Sequence, residues 1–355
     1  MVKISSDILK IKVLSVVISL LLILATLTAK VSLADSVTAT VNVGSHPEGV
    51  AFDSANGRIY VANSGSGTVS VIDDSNNTVV KTVTVGTNPQ GVAFNPTNGH
   101  IYVTNYGSGK VSVIDGSTNK VVSNVTVGVY PIGVAFDSTN GHIYVTNEGS
   151  GTVSILDGSN NPVVTTVKVG TNPEGVAFDS TNGHIYVANK GSGKVSVIDG
   201  SSKTVVANVT VGSQPYAVTF DSANGYVYVT NSYSRSVSVI SGSNTVVATV
   251  AVGVGPDGVA FDSANKCVYV ANYSSNSVSV ITPSSSTSTS SKSSTTSTMP
   301  QTTGTSSTSS SKSSASSGIP EFPTQLAFAL LVTVVIVMSY VFARSGLRIS
   351  KQPQV

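Results

Sequence analysis

Tryptophan is absent from this chain, cysteine occurs once, and only 10% of the 355 residues are charged. A single cysteine, Cys267, excludes an intramolecular disulfide framework. Because Cys267 falls in a predicted strand, we interpret it as a small buried hydrophobe and not as a nucleophile. Residues 35–283 hold ten Lys and Arg against fifteen Asp and Glu, which gives 10 − 15 = −5. Nucleic-acid binding needs a basic patch, so no nucleic-acid partner is expected for this region.

One motif recurs six times along the chain at a nearly constant spacing. Its first copy is Ile-Tyr-Val-Ala-Asn at residues 59–63, and successive tyrosines are 42, 42, 42, 42 and 41 residues apart. These tyrosines are Tyr60, Tyr102, Tyr144, Tyr186, Tyr228 and Tyr269. Self-similarity at a fixed period of roughly 20–50 residues is typical of solenoids, propellers and arrays.

Each repeat contains four short β-like segments: Gly-Val-Ala-Phe, Tyr-Val-Ala/Thr-Asn, Val-Ser-Val-Ile-Asp and Val-x-Val-Gly. Short β-branched runs separated by turn residues predict an all-β fold. Asn-Gly, as at residues 56–57, tolerates the positive φ of a tight hairpin, so consecutive strands are predicted to be antiparallel. Four antiparallel strands in a unit of this length indicate one propeller blade. The sequence therefore predicts a six-bladed β-propeller over residues 35–283.

The count of fourth strands predicts how the ring closes. Val-x-Val-Gly occurs once before the first blade, at residues 41–44, and no copy follows the third strand of the sixth blade. We therefore expect residues 37–43 to supply the missing outer strand of the last blade. Such a closure would remove an exposed sheet edge, which is an aggregation hazard.

The repeats resemble the YVTN-family β-propeller repeat of archaeal and bacterial surface proteins. Tyr-Val-Thr-Asn stands at 102–105, 144–147 and 228–231, and Tyr-Val-Ala-Asn stands in the other three repeats. Known members of that family often have seven blades. The resemblance implies a surface location, archaeal surface-layer-like character and an interaction role, and it implies no catalytic residues.

The two ends of the chain predict export and membrane anchoring. Residues 1–34 read as a signal peptide, with Lys3, Lys10 and Lys12 before an apolar run and Ser-Leu-Ala before Asp35. Residues 284–318 are almost only Ser and Thr, which is typical of a disordered, often O-glycosylated stalk or of an unmodified linker.

Residues 319–355 are predicted to form a C-terminal anchor, with a transmembrane helix at about 326–343 followed by basic residues. By the positive-inside rule the C-terminus is expected in the cytoplasm and the propeller outside. Gly-Ile-Pro-Glu-Phe-Pro at 318–323 resembles archaeal sorting tails that carry Pro-Glu-Phe, although Pro323 stands where those tails have Gly.

No arrangement of residues indicates catalysis, a cofactor or a metal. Three histidines, His100, His142 and His184, occupy one repeat position and are expected on separate blades, so we interpret them as repeat copies, with a metal site as the alternative, since metal ligands must converge. The aspartates that end the third strands, Asp73, Asp115, Asp157 and Asp199, are interpreted as turn caps, with a calcium site as the alternative. Gly-Ser-Gly after the second strand leads into no helix and is interpreted as a turn, not as a phosphate loop.

The variable loops of the repeat predict a partner-binding face. In a four-stranded meander the second-to-third and fourth-to-first loops open on the same side of the disc, and these loops vary most between repeats. Five tyrosines outside the core pattern fall there: Tyr106, Tyr130, Tyr216, Tyr233 and Tyr273. Tyrosine supplies rigid amphipathic contact area at small entropic cost, although drift of repeat copies in loops is the alternative reading. Asn76, Asn124 and Asn208 are predicted N-glycosylation sites, because each begins an Asn-x-Thr sequon.

Together these features predict a membrane-anchored extracellular propeller that binds a cell-surface protein or glycan, for adhesion or as part of the envelope. An extracellular enzyme, lactonase-like or redox-cofactor-binding, is the alternative. It would need polar groups from non-equivalent positions to converge near the axis.

Overall fold

Twenty-three strands make up almost all of the regular structure in the computed structural model, which describes residues 39–282. The predicted signal peptide, stalk and C-terminal tail lie outside the described residues. Within 39–282 no helix has the length and apolar character that a membrane span requires.

Five blades are four-stranded antiparallel sheets in which every strand pairs with its neighbour in sequence. Blade 1 consists of β1 (Pro47–Asp53), β2 (Arg58–Asn63), β3 (Thr68–Asp73) and β4 (Thr78–Thr84). Blade 2 consists of β5 (Pro89–Asn95), β6 (His100–Asn105), β7 (Lys110–Asp115) and β8 (Lys120–Thr126). Blade 3 consists of β9 (Pro131–Phe136), β10 (His142–Asn147), β11 (Thr152–Asp157) and β12 (Val163–Lys168). Blade 4 consists of β13 (Pro173–Asp179), β14 (His184–Asn189), β15 (Lys194–Asp199) and β16 (Thr204–Thr210). Blade 5 consists of β17 (Pro215–Asp221), β18 (Tyr226–Asn231), β19 (Ser236–Ile240) and β20 (Val246–Ala251).

The sixth blade has three strands within the described residues: β21 (Pro256–Asp262), β22 (Cys267–Asn272) and β23 (Ser277–Ile281), with a short 3-10 helix at Tyr273–Ser275. The prediction that residues 37–43 complete this blade is wrong where the structure can test it. Residues 39–43 form no strand, and β23 pairs with β22 alone. Residues 37 and 38 lie outside the described part. The predicted all-β architecture, with six blades of antiparallel meander, is otherwise confirmed.

Five apolar clusters lie between successive blades and form the core. We call the side of a blade that is turned towards the next blade in sequence its leading face, and the side turned towards the preceding blade its trailing face. At the first junction the leading face of blade 1 contributes Tyr60, Val69 and Val71, and the trailing face of blade 2 contributes Ile101 and Ile114. Because blades 2 to 5 are covered on both sides, their strands are apolar on both sides, unlike the alternating strands of a sheet with one wet face.

The repeated tyrosines also tie the blades together through hydrogen bonds. The Tyr60 hydroxyl donates to Asn119 Oδ1 of blade 2 at 2.8 Å, and the Tyr102 hydroxyl donates to Gly158 O of blade 3 at 2.9 Å. The Thr-for-Ala variation in the motif has a similar effect, since the Thr104 hydroxyl donates to the Ile132 carbonyl of the next blade at 2.6 Å. Ala62 and Ala188 cannot make this bond.

Burial of these phenols makes the fold sensitive to alkaline pH. Burial, as the largest cause, raises the pKa of both Tyr60 and Tyr144 to about 12. The unfolded phenol ionises near pH 10, so the stability they contribute is complete below about pH 10 and is lost as pH rises towards about 12. We expect the denaturant midpoint to fall over this window, and to fall less in Tyr144→Phe than in the unmodified chain. An equal fall in both proteins would show that Tyr144 does not titrate in unfolding.

Candidate partner-binding face

The second-to-third loop and the fourth-to-first loop of each blade lie on one side of the propeller and are joined by backbone hydrogen bonds. In blade 2 the Tyr106 N–H donates to Asn88 O at 2.9 Å and the Gly107 N–H to Thr87 O at 3.0 Å. The same pairs recur in the other blades. The two variable loops of each blade therefore lie side by side, and of the five predicted tyrosines Tyr216 lies not in a loop but at the start of β17.

Two positions in each repeat place side chains on this face, and we call these twelve residues the mouth. The residue after the proline that opens each first strand is Glu48, Gln90, Ile132, Glu174, Tyr216 or Asp257. The residue after the asparagine that ends each second strand is Ser64, Tyr106, Glu148, Lys190, Ser232 or Tyr273. The first strands of successive blades lie side by side from β1 to β21, so the post-proline residues follow the inner edge of the blades.

Tyr106 and Tyr130 form a stacked pair, with ring centroids 4.6 Å apart and planes 10° apart. The pair joins blade 2 to the loop that enters blade 3. Tyr130 has φ 56°, a left-handed conformation that Asn88 and Asn172 take at the same position of neighbouring repeats. For a tyrosine this backbone conformation costs of the order of 1–2 kcal/mol. His46, Gln214 and Gly255 take the same positive φ in the remaining repeats, so this conformation belongs to the turn of the repeat and is not particular to Tyr130.

Tyr216, Lys190 and Glu174 form a second group, drawn from blades 4 and 5. Lys190 Nζ lies 3.0 Å from Glu174 Oε1 and 5.0 Å from the centre of the Tyr216 ring. Glu174 is a buried residue, and burial raises the pKa of its carboxyl, while the ammonium of Lys190 acts in the opposite direction. Burial, and then the negative charge of Glu174, raises the pKa of Tyr216 to about 12. A cation and an aromatic face are thus fixed beside a carboxylate at the inner edge of the blades.

Further hydrogen bonds continue around the mouth. Asn172 Nδ2 donates to Glu148 Oε1 at 3.2 Å, and Ser232 Oγ donates to Asp257 Oδ1 at 3.3 Å. The mouth contains four acids, Glu48, Glu148, Glu174 and Asp257, and one base, Lys190, so its charge is 1 − 4 = −3. It is therefore suited to a partner that presents positive charge and flat or apolar surface.

Of the other two predicted tyrosines, Tyr273 belongs to the mouth and Tyr233 follows the mouth residue Ser232. Tyr233 is 76% exposed and Tyr273 is 78% exposed, and neither stacks on another aromatic ring within residues 39–282. The acids and Lys190 were missed by sequence reasoning. The signal was present, since Glu48, Glu174 and Asp257 interrupt a repeat position that is otherwise Gln, Ile or Tyr, but only the aromatics of the variable loops were singled out.

The opposite side of the propeller is formed by the first-to-second and third-to-fourth turns, whose sequences are nearly the same in each repeat. Asp73 and Asp115 each accept backbone and hydroxyl hydrogen bonds from the serine two residues on, which lowers the pKa of both carboxyls. This is the predicted capping geometry. The three repeat histidines open β6, β10 and β14 in separate blades. In the part of the chain that is described, no three His, Cys, Asp or Glu side chains are grouped closely enough to hold a metal ion.

The predicted glycosylation sites Asn76, Asn124 and Asn208 are all exposed. Asn76 lies in a turn, where its Oδ1 accepts from the Thr78 N–H at 3.1 Å, and the other two lie on outer strands. A fourth sequon begins at Asn272, which is 2% exposed and donates to Ser277 and Ser279.

Comparison with known proteins supports the repeat and the fold. Residues 25–182 match the model of a family described as a repeat of unknown function (DUF6923). No curated protein sequence matches the chain.

Two solved structures align with this chain. A functionally unknown protein from Desulfotomaculum acetoxidans DSM 771 aligns with TM-score 0.60 and 16% identity, over 68% of this chain and 84% of that one. Hydrazine synthase from Kuenenia stuttgartiensis aligns with TM-score 0.48 and 18% identity, over 70% of this chain and 99% of that one. At such identity the likeness to the Desulfotomaculum acetoxidans protein concerns the fold alone. The YVTN resemblance stays a prediction.

Proposed function

We propose that this chain is a membrane-anchored extracellular propeller that binds a cell-surface protein or glycan through its mouth. The observation that carries the proposal is that the same repeat position holds different side chains in different blades, and that these side chains contact each other across blades. A strict repeat would place identical residues at this position in every blade. Two groups make up the ordered contacts of this surface. One is the mouth residue Tyr106 with Tyr130, which stacks on it from the neighbouring loop, and the other is the Tyr216–Lys190–Glu174 group. Export and anchoring rest on the terminal segments, which are predicted from sequence.

Replacing Tyr106, Tyr130, Tyr216, Tyr233 and Tyr273 with Ser should reduce binding to the isolated cell envelope, or to an immobilised glycan array, at least tenfold. Hot-spot tyrosines commonly contribute about 2 kcal/mol or more each, so a smaller loss would reject this face. A second variant that retains the partly buried Tyr216 keeps the result interpretable if the first unfolds. The matched control replaces Asp74 and Lys120, two exposed residues of the opposite side, and should bind as the unmodified chain does.

The acidic mouth adds a second readout to the same experiment. If the partner brings positive charge, binding should weaken as salt is raised, because exposed charges are screened within about 10 Å at 0.1 M salt. Binding that does not change with salt would favour a neutral glycan stacked on the tyrosines.

One observation favours the enzymatic alternative. Glu174 is a buried carboxylate beside Lys190 and Tyr216, and convergent groups with shifted pKa values are what an active site requires. Glu174→Gln would test this alternative in a lactone-hydrolysis assay. Turnover that the substitution removes would support an enzyme, and absence of turnover in the unmodified chain would leave the binding role.

A further inference from the structure

The two end blades of the arc each present an apolar face that no other blade covers. On the leading face of blade 6, Val278 is 60% exposed and Val280 is 55% exposed, whereas Val69 and Val71 at the same positions of blade 1 are fully buried. On the trailing face of blade 1, Val50 is 63% exposed and Phe52 is 53% exposed. Among residues 39–282 the apolar clusters join blades 1 to 6 in succession, and none joins blade 6 to blade 1.

These two faces repeat, residue for residue, the two sides of the junctions inside the molecule. On the leading face Tyr269, Val278 and Val280 of blade 6 correspond to Tyr60, Val69 and Val71 of blade 1. On the trailing face Val50, Phe52 and Ile59 of blade 1 correspond to Val92, Phe94 and Ile101 of blade 2. Since the first junction packs those side chains together, the free leading face and the free trailing face carry the side chains needed to form the same junction.

The strand edge at the open end is also unpaired. The Tyr269 hydroxyl accepts from Asn265 of its own blade at 2.7 Å, and among residues 39–282 it has no cross-blade acceptor, which is also true of Tyr228 at the covered fifth junction. The outer edge of β23 has no partner strand within the described residues, while residues 39–43, whose sequence aligns with the end of a fourth strand, pair with no strand. An unpaired edge beside an apolar face is a template for another chain.

We propose that the leading face of blade 6 binds the trailing face of blade 1 of a second copy of this chain. In that contact residues 39–43 of the incoming copy lie beside β23 as its missing outer strand. The contact joins two different surfaces, so it is heterologous and continues from copy to copy as a ring or a filament. Closure within one copy would use the same two faces, but the structure leaves them apart. If the chain is anchored at a cell surface, as the proposed function holds, such an array would present several copies of the mouth side by side.

Two blocked variants of the full-length chain test this proposal. Val278→Glu with Val280→Glu places charge on the leading face, and Val50→Glu with Phe52→Glu places it on the trailing face. These positions are exposed in the single chain, so the fold should survive, as thermal unfolding would verify. By light scattering the unmodified chain should at least double in mass as its concentration rises, while each variant alone should keep the mass of one chain.

Mixing the variants gives the decisive measurement. Each blocked variant retains the face that the other lacks, so an equimolar mixture should form a one-to-one dimer and nothing larger. A single-chain mass for the unmodified protein at every concentration, with both variants melting at lower temperature, would show closure within one copy and overturn the proposal. Association that persists equally in both variants, for instance through the C-terminal tail, would also overturn it. If a variant unfolds, Val280→Thr and Val50→Thr serve as milder replacements and should weaken association in the same direction.

Discussion

Tyr102→Ala is expected to lower the free energy of unfolding by about 4 kcal/mol, whereas Tyr269→Ala should cost only about 1–2 kcal/mol. The two tyrosines occupy the same repeat position. Tyr102 is fully buried between blades 2 and 3, and its one hydroxyl hydrogen is shared between Gly158 O at 2.9 Å and Asn161 Oδ1 at 2.7 Å. Removing it leaves a cavity and two acceptors without their donor. Tyr269 lies on the leading face of blade 6, where no following blade covers it.

Denaturant unfolding of the two variants measures this difference, at a protein concentration where light scattering gives the mass of one chain. Tyr102→Phe separates the hydroxyl from the ring and should lose about 1 kcal/mol. Equal losses in Tyr102→Ala and Tyr269→Ala would mean that the last leading face is packed in the single chain, and the arc would then be closed in solution.

Asn147→Ala is expected to cost about 3 kcal/mol, although it removes only a small polar side chain. Asn147 is fully buried, its Oδ1 accepts from the Gly128 N–H at 3.0 Å, and its Nδ2 donates to Ser154 Oγ at 3.0 Å. It thus ties the loop that enters blade 3 to the second and third strands of that blade. Alanine leaves the half-buried Gly128 N–H and the buried Ser154 hydroxyl without Asn147 as their partner, and each such group costs about 1–3 kcal/mol.

Asn160→Ala, at an exposed turn position of the same blade, is the matched control and should change stability by less than about 0.5 kcal/mol. Asn147→Asp retains the acceptor for Gly128 but places a carboxyl in a buried site, where its pKa is raised. A raised folded-state pKa stabilises at low pH, so this variant should regain stability as pH falls and lose it as pH rises past about 4. An Asn147→Ala protein as stable as the control would show that the repeated asparagine is not needed for the fold.

Much of the fold was predictable because the same strand and turn motifs occur six times along the chain. Asn-Gly turns, β-branched runs and a fixed 42-residue spacing each depend on a few neighbouring residues, so they can be read without knowing the rest of the chain. The candidate site was predictable only in part. The tyrosines were noticed as departures from the pattern, but the contact of Lys190 with Glu174 and Tyr216 joins residues from two blades, and no local pattern predicts such a contact.

The closure of the ring shows where sequence reasoning stops. One fourth-strand motif precedes the first blade, and none follows the third strand of the last blade. This number of motifs is compatible with a closed ring and with an open arc. The angle between blades decides between them, and that angle follows from how Tyr, Val, Ile and Phe side chains pack at five junctions. Because small differences in each junction add along the arc, the position of blade 6 relative to blade 1 is a property of the assembled structure.

The sequence by itself determined the strands, their order, the blade as the unit and the face on which the variable loops gather, since all of these depend on short-range patterns repeated in register. The tertiary structure decided that the end faces stay exposed and that an acidic, aromatic mouth forms from different blades, since both depend on packing between residues far apart in the chain.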